Sequence, residues 1–173
     1  MSKREREPWG RFAAKAGVLG VCICLAIGYL SDRYRIGRDP QIVRSLGDYT
    51  TFLVDRYRSE ARRGEIVAFR AQGLTQYFED GTLMAKKVVG MPGDHVQVDP
   101  TRLAPGVWIN GRKVLSGFMH QHNLGLSDAD LLRDEQVPPQ HFFVIGTTNE
   151  SYDSRYWGYI RSDQIVGSVQ PLF

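Results

Sequence analysis

The chain has very little cysteine, no sustained helical periodicity beyond its first thirty residues, and no long run of like charge. Its two cysteines, Cys22 and Cys24, both lie in one apolar stretch near the N-terminus. Two apart on a helix, they point to nearly opposite sides, which excludes a disulfide between them. Residues 31–173 contain no cysteine, so that part carries no covalent staple. This suits an exported domain as well as a cytosolic one and leaves the compartment open. A formal charge of +3 and a pI near 8.9 are too mild to argue for a nucleic-acid partner. No RNA-binding or helix-turn-helix signature accompanies them, and none is expected to act. Nor is there a metal-ligand pattern. His120-x-His122 lacks further ligands at suitable spacing, and His95 and His141 would join only by accident of folding, so they are expected as surface loop histidines without metal or cofactor.

What is present is the composition of a globular protein, 42% hydrophobic and 24% charged over 173 residues. That is room for one domain and a short appendage. Residues 16–30, AGVLGVCICLAIGYL, carry no charge, and the run reaches back to Phe12 if Lys15 snorkels to the interface. A span of 12–30 is close to the roughly 20 residues needed to cross a bilayer. The following IGYLSDR has no clear small-x-small cleavage site, which favours a retained anchor over a cleaved signal. The chain thus divides into a basic N-terminus (1–11), an anchor (12–30) and a single domain (31–173). Lys3, Arg4, Arg6, Arg11 and Lys15 precede the span, and Arg33, Arg35, Arg38 and Arg44 follow it. The balance leans slightly to an inside N-terminus.

Beyond the span, apolar runs of strand length recur: YTTFLVD, EIVAFRA, MAKKVVG, HVQVD, GVWING, FFVIG and QIVGSVQ. Gly, Pro, Asp and Asn punctuate them, which predicts a mainly β, antiparallel domain. Only SDADLLRDE, Ser127 to Glu135, reads as a helix, with Ser127 as its N-cap.

One strand poses a question. LMAKKVVGMPGDHV places Lys86 and Lys87 inside an apolar run, and strand geometry sends them to opposite faces. If one side is covered, one lysine is solvated and the other lies against the core. Both could instead snorkel at a sheet edge, the ordinary fate of strand lysines. A buried ammonium loses hydration, its pKa falls, and the neutral amine can serve as a general base. Further on, GTTNESYDSRYWGYI gathers hydroxyls beside Asp153 and Arg155, a pair suited to a local ion bridge.

RRGEIVAF, KKVVGMPGD, VPPQHFFVIG and SYDSRYWGYI follow one another behind an N-terminal anchor. In that order they resemble the signal peptidase I superfamily of Ser/Lys proteases (peptidase S26) from about residue 36 to the C-terminus. RGEIVAF is similar to its Arg-Gly-Asp-x-Val-x-Phe box, KKVVGMPGD to its Lys-Arg-x-x-Gly-x-Pro-Gly-Asp box, and DSRYWG to the end of its last box. The resemblance implies a signal-peptidase-like antiparallel β-sheet catalytic domain behind one transmembrane helix. It makes Lys86 the general base, Ser151 the hydroxyl that orients it, and Asp153 with Arg155 a supporting ion pair. Gly90, Pro92, Gly93 and Asp94 shape the turn after the strand.

The nucleophile box departs from the family's Ser-Met-x-Pro-Thr. This chain reads SLGDY, and Ser45 is the serine at that place, with Thr50 and Thr51 poorer choices inside a strand. SLGDY, RIGRDPQ and the shortened GTTNESYDSR resemble the TraF-like conjugative-transfer peptidases most. The implied activity is serine endoproteolysis of an exported precursor, most of all a conjugative pilin matured and sometimes cyclised, in contact with the bilayer and with secretion machinery. The implied location is a bacterial inner membrane, single-pass, with the catalytic domain on the outer side. General signal-peptide removal and an inactive scaffold are the other readings. Val43, two residues before Ser45, cannot supply the hydroxyl that the family uses in its oxyanion hole.

Overall fold

The structure is a computed structural model of the chain and describes residues 8–39, 45–74 and 78–173. It begins with helix α1, Trp9–Arg33, the one helix among the described residues long and apolar enough to cross a membrane (mean hydropathy 1.9), with its residues outside any core. Its apolar side chains are exposed on all sides, the pattern of a helix whose surroundings are not protein. The helix ends where Tyr34 turns extended, and the chain enters strand β1, Tyr34–Arg38, with no intervening loop.

Arg33 fixes that junction: its Nε and Nη2 donate to the two carboxylate oxygens of Asp55 at 3.0 and 2.7 Å, a two-pronged fit of guanidinium to carboxylate. Tyr57 adds a bond from its hydroxyl to Asp32 at 2.6 Å. The base of α1 is therefore tied to the far end of β2, Thr51–Asp55, which pairs with β1.

Nine further strands follow: β3 (Ile66–Arg70), β4 (Leu83–Gly90), β5 (His95–Asp99), β6 (Gly106–Ile109), β7 (Arg112–Ser116), β8 (Arg133–Gln136), β9 (His141–Ile145), β10 (Ile160–Arg161) and β11 (Ile165–Pro171). They form a seven-stranded sheet in the order β1-β2-β11-β3-β4-β9-β10 and a four-stranded sheet in the order β7-β6-β5-β8. The pairings are antiparallel, as the alternating apolar runs predict.

Strands β4 and β9 lie between two cores and contribute apolar side chains to each. Val88, Phe142 and Val144 feed one core with Val67, Phe69 and Met84, whereas Val89, Phe143 and Ile145 meet Val96, Val98 and Val107 of the four-stranded sheet. Gly90 permits that close packing, since a Cβ there would stand 2.8 Å from the Phe143 Cβ.

The helix expected over Ser127–Glu135 is only one turn, α2, Asp128–Leu131. Ser127 does cap it: Asp130 N–H donates to the Ser127 hydroxyl, and Ser127 N–H donates to the Asp130 carboxylate at 2.8 Å. Leu132 is then extended, and Arg133–Gln136 pairs with β5, His95 opposite Gln136. Backbone pairing with a strand lacking a partner on that side outweighs the weak helix propensity of RDEQ. Strands β1, β7 and β10 and the short helix α3, Ser154–Trp157, are likewise additional to the elements read from sequence.

Candidate active site

Strand β4 presents Lys86 on the face it shares with Met84 and Val88, and the side chain is buried, with 4% of its surface exposed. Lys87, on the opposite face, is half-buried. The Lys86 ammonium donates to the Ser151 hydroxyl at 2.8 Å. Burial pushes its pKa from 10.5 down to about 8, against the opposing fields of the Asp153 and Asp39 carboxylates; the Arg155 charge adds a smaller downward push. A substantial fraction of the side chain is therefore neutral near pH 8.

Ser151 is held in turn by the segment that follows it. Asp153 caps α3 by accepting from Arg155 N–H, and its other oxygen accepts from Gly146 N–H at 2.9 Å. The Arg155 guanidinium donates to both Asp153 oxygens, at 2.8 and 3.0 Å, to the Ser151 carbonyl at 2.7 Å and to the Gly117 carbonyl at 2.9 Å. Both side chains are fully buried. An ion pair so far from water is held by its geometry and by saturation of its donors and acceptors. The Ser151 carbonyl is thus one of the ends that this network fastens.

Ser45, 7% exposed, comes from a different part of the chain. Its carbonyl accepts from Thr147 N–H at 2.7 Å, which ties the turn after residue 44 to the end of β9. Gly146 makes the approach possible: an added Cβ would collide with the Ser151 side chain and lie 2.7 Å from the Ser45 carbonyl oxygen. Sequence reading singled out Ser45, Lys86, Ser151, Asp153 and Arg155 but not Gly146, whose requirement appears only when three segments converge. Val43 lies outside the described residues.

Two cavities, of about 440 and 210 Å³, meet at Ser45, Lys86, Met84 and Phe78. The smaller is bounded by the end of β1 and the start of β4, with Leu46, Phe52, Val54 and Val169 as its apolar floor. The larger carries His120, Asn123, Leu124 and Glu150 beside Ser151. His120, expected on a surface loop, is half-buried in that wall; its Nε2 lies 2.6 Å from the Glu150 carbonyl, which only accepts, so Nε2 carries the proton. Two other histidines go elsewhere: His95 to Asp134, and His141 to the Pro139 carbonyl.

A cleft with a buried, partly neutral amine next to a serine and space on both sides can hold an extended chain and activate a hydroxyl against it. Comparison with known proteins agrees in kind. The family model described as signal peptidase, peptidase S26, matches residues 11–173. Signal peptidase I of Bacillus caldolyticus is 31% identical over 118 residues, 62% of this chain and 59% of the relative. A probable signal peptidase I-2 of Synechocystis is 25% identical over 171 residues, 95% and 74% of the two chains. Signal peptidase I of Leptolyngbya laminosa is 34% identical over 116 residues, 65% and 52%. The matched stretch thus spans between about half and three quarters of these relatives' lengths. A solved signal peptidase I from Enterococcus faecalis aligns with 63% of this chain and 96% of its own, at 23% identity and a TM-score of 0.40. With its family model matched from the first turn of α1 to the last residue, the chain belongs to the signal peptidase family, peptidase S26.

Proposed function

We propose that the protein is a membrane-anchored serine endopeptidase in which Ser45 is the nucleophile and Lys86 the general base, and that it cuts exported precursor proteins. The observation that carries this reading is Lys86: a lysine with a pKa near 8, buried in a cleft that it shares with Ser45 and held by the Ser151 hydroxyl. By donating one N–H to Ser151, the neutral amine keeps its lone pair for the Ser45 proton. The Ser45 oxygen then attacks the peptide carbonyl, and the C–N bond breaks as the Lys86 ammonium returns the proton to the departing amine. Water, activated by the same amine, resolves the ester. Asp153 and Arg155 hold Ser151 in place and touch no reacting atom.

In this reading α1 spans the cytoplasmic membrane of a bacterium, with the sheets on its outer side, and a precursor's own apolar segment brings the scissile bond to the cleft. Confinement of enzyme and precursor to one surface raises their effective concentration. The relatives' names favour general removal of signal peptides. Ser45-Leu46-Gly47-Asp48-Tyr49 favours the narrower role of maturing a conjugative pilin, with secretion machinery as the partner.

The test is processing of two co-expressed membrane-targeted precursors, one secretory and one pilin, by wild type, Ser45→Ala and Lys86→Ala, with products weighed by mass spectrometry. Loss of cleavage in both variants while each remains folded in the membrane supports the dyad. Cleavage by Ser45→Ala at the wild-type rate assigns the nucleophile elsewhere. Which precursor is cut decides between the two roles, and a product one water lighter than the linear form identifies cyclisation.

A further inference from the structure

The two cavities that meet at Ser45 differ in chemistry, and the difference gives the cleft a direction. Strand β1 runs straight from the end of α1, and its last residues with Asp39 line the smaller cavity. A precursor whose apolar segment lies beside α1 follows the same path, so the residues before the cut occupy that apolar slot. The residues after the cut then fall into the larger cavity, past Ser151.

Among the described residues, that second cavity is lined by one carboxylate, Glu150, and by one cationic side chain, Lys86. Glu150 sits immediately before Ser151, and its backbone is pinned by the 2.6 Å contact from His120 to its carbonyl. His120 is fixed from its other end, where its N–H donates to the Tyr156 hydroxyl at 3.2 Å. The carboxylate is thus carried on an anchored backbone next to the position where the leaving amine must emerge, and its side chain is exposed.

We infer that Glu150 is a specificity-determining residue on the leaving-group side, which favours a cationic residue in the first positions after the cut and disfavours an acidic one. The inference rests on the Ser45/Lys86 reading above. A pair between an exposed carboxylate and a substrate cation favours binding modestly, and like charges oppose each other by a similar amount. Attraction of the cation and repulsion of the anion together are expected to give a selectivity of up to about 30-fold between Lys and Glu in kcat/KM.

The experiment uses the full chain in membranes and three otherwise identical internally quenched precursor peptides. Each has small residues before the cut and Lys, Gln or Glu at the second position after it. Wild type is expected to cleave them in the order Lys, Gln, Glu; Glu150→Gln is expected to flatten the series, and Glu150→Lys to reverse it. The selectivity of wild type and the reversed selectivity of Glu150→Lys should also fall as salt is raised, which a role confined to folding would not produce in a ratio between substrates. The same order and spread in wild type and Glu150→Lys overturns the inference, as does equal cleavage of all three peptides by wild type. Ser45→Ala and Lys86→Ala run beside them: cleavage surviving in both overturns the dyad, whereas a dead dyad with an unmoved charge order overturns only the role of Glu150.

Discussion

The two sheets handle charge in opposite ways. In the four-stranded sheet the interior is aliphatic, with Val96, Val98, Val107 and Val137 almost fully buried, and side-chain pairs such as His95 with Asp134 and Arg102 with Asp99 stay at the surface. The seven-stranded sheet and the segments on it bury Lys86, Asp153, Arg155, Ser45 and Ser151, while among the described residues none of the buried polar side chains comes from 91–140. One sheet is stabilised by methyl groups, at about 25 cal/mol for each Å² removed from water. The other holds charges at a desolvation cost that only a saturated hydrogen-bond network offsets. A fold that accepts such a cost in one place and avoids it next door singles that place out as the candidate site.

The largest effect that would sharpen this contrast is expected from Asp153→Asn. It leaves the Arg155 cation buried without its counter-charge, and a loss of about 3–5 kcal/mol is expected in urea denaturation of the detergent-solubilised protein. A loss below about 1 kcal/mol would break the contrast, because the buried pair would then behave as a surface one.

Lys86→Met comes next and has the opposite sign. Below pH 8 Lys86 is protonated in both folded and unfolded chains, and the full cost of burying the ammonium is present. Between pH 8 and 10.5 the folded protein loses that proton first, so wild-type stability rises with pH; above 10.5 both states are neutral and the cost is gone. The difference between 10.5 and about 8 corresponds to roughly 3 kcal/mol, reduced by the lost bond to Ser151. Lys86→Met should therefore be inactive yet more stable than wild type at pH 7, with the gap closing as pH approaches 10.5. Wild-type kcat/KM should rise with pH and level off above about 8, as a base that works unprotonated requires.

Val98→Ala probes the other sheet. Removing two methyl carbons from a fully buried site is expected to cost about 2 kcal/mol in the same denaturation assay while cleavage at 25 °C stays at the wild-type rate. Smallest of all, Asp134→Asn at the exposed pair with His95 should shift stability by less than about 1 kcal/mol.

Much of this molecule was legible before any coordinates. The seven apolar runs all became strands because alternation between two faces is a property of the local sequence. The lysine pair was divided by the same geometry, one buried and one half-exposed. The missed strands β1, β7 and β8 have many charged or polar residues and lie at sheet edges, where one side is open to water and no apolar signature is needed. The expected helix after Ser127 failed for the same reason, since the residues of β8 gain more from pairing with β5 than from their own helical preference.

The sequence by itself determined the apolar helix, the antiparallel β class, the family and the residue types of the site, because periodicity and short motifs are local quantities. Only the tertiary structure decided that Ser45, Lys86 and Ser151, far apart in the chain, line one cavity. It also decided that Gly146 must lack a side chain and that His120 and Glu150 form one wall of the cleft. Those facts depend on which segments share a cavity and on how much water is left there, and burial, pKa and close approach arise only when the chain has closed on itself.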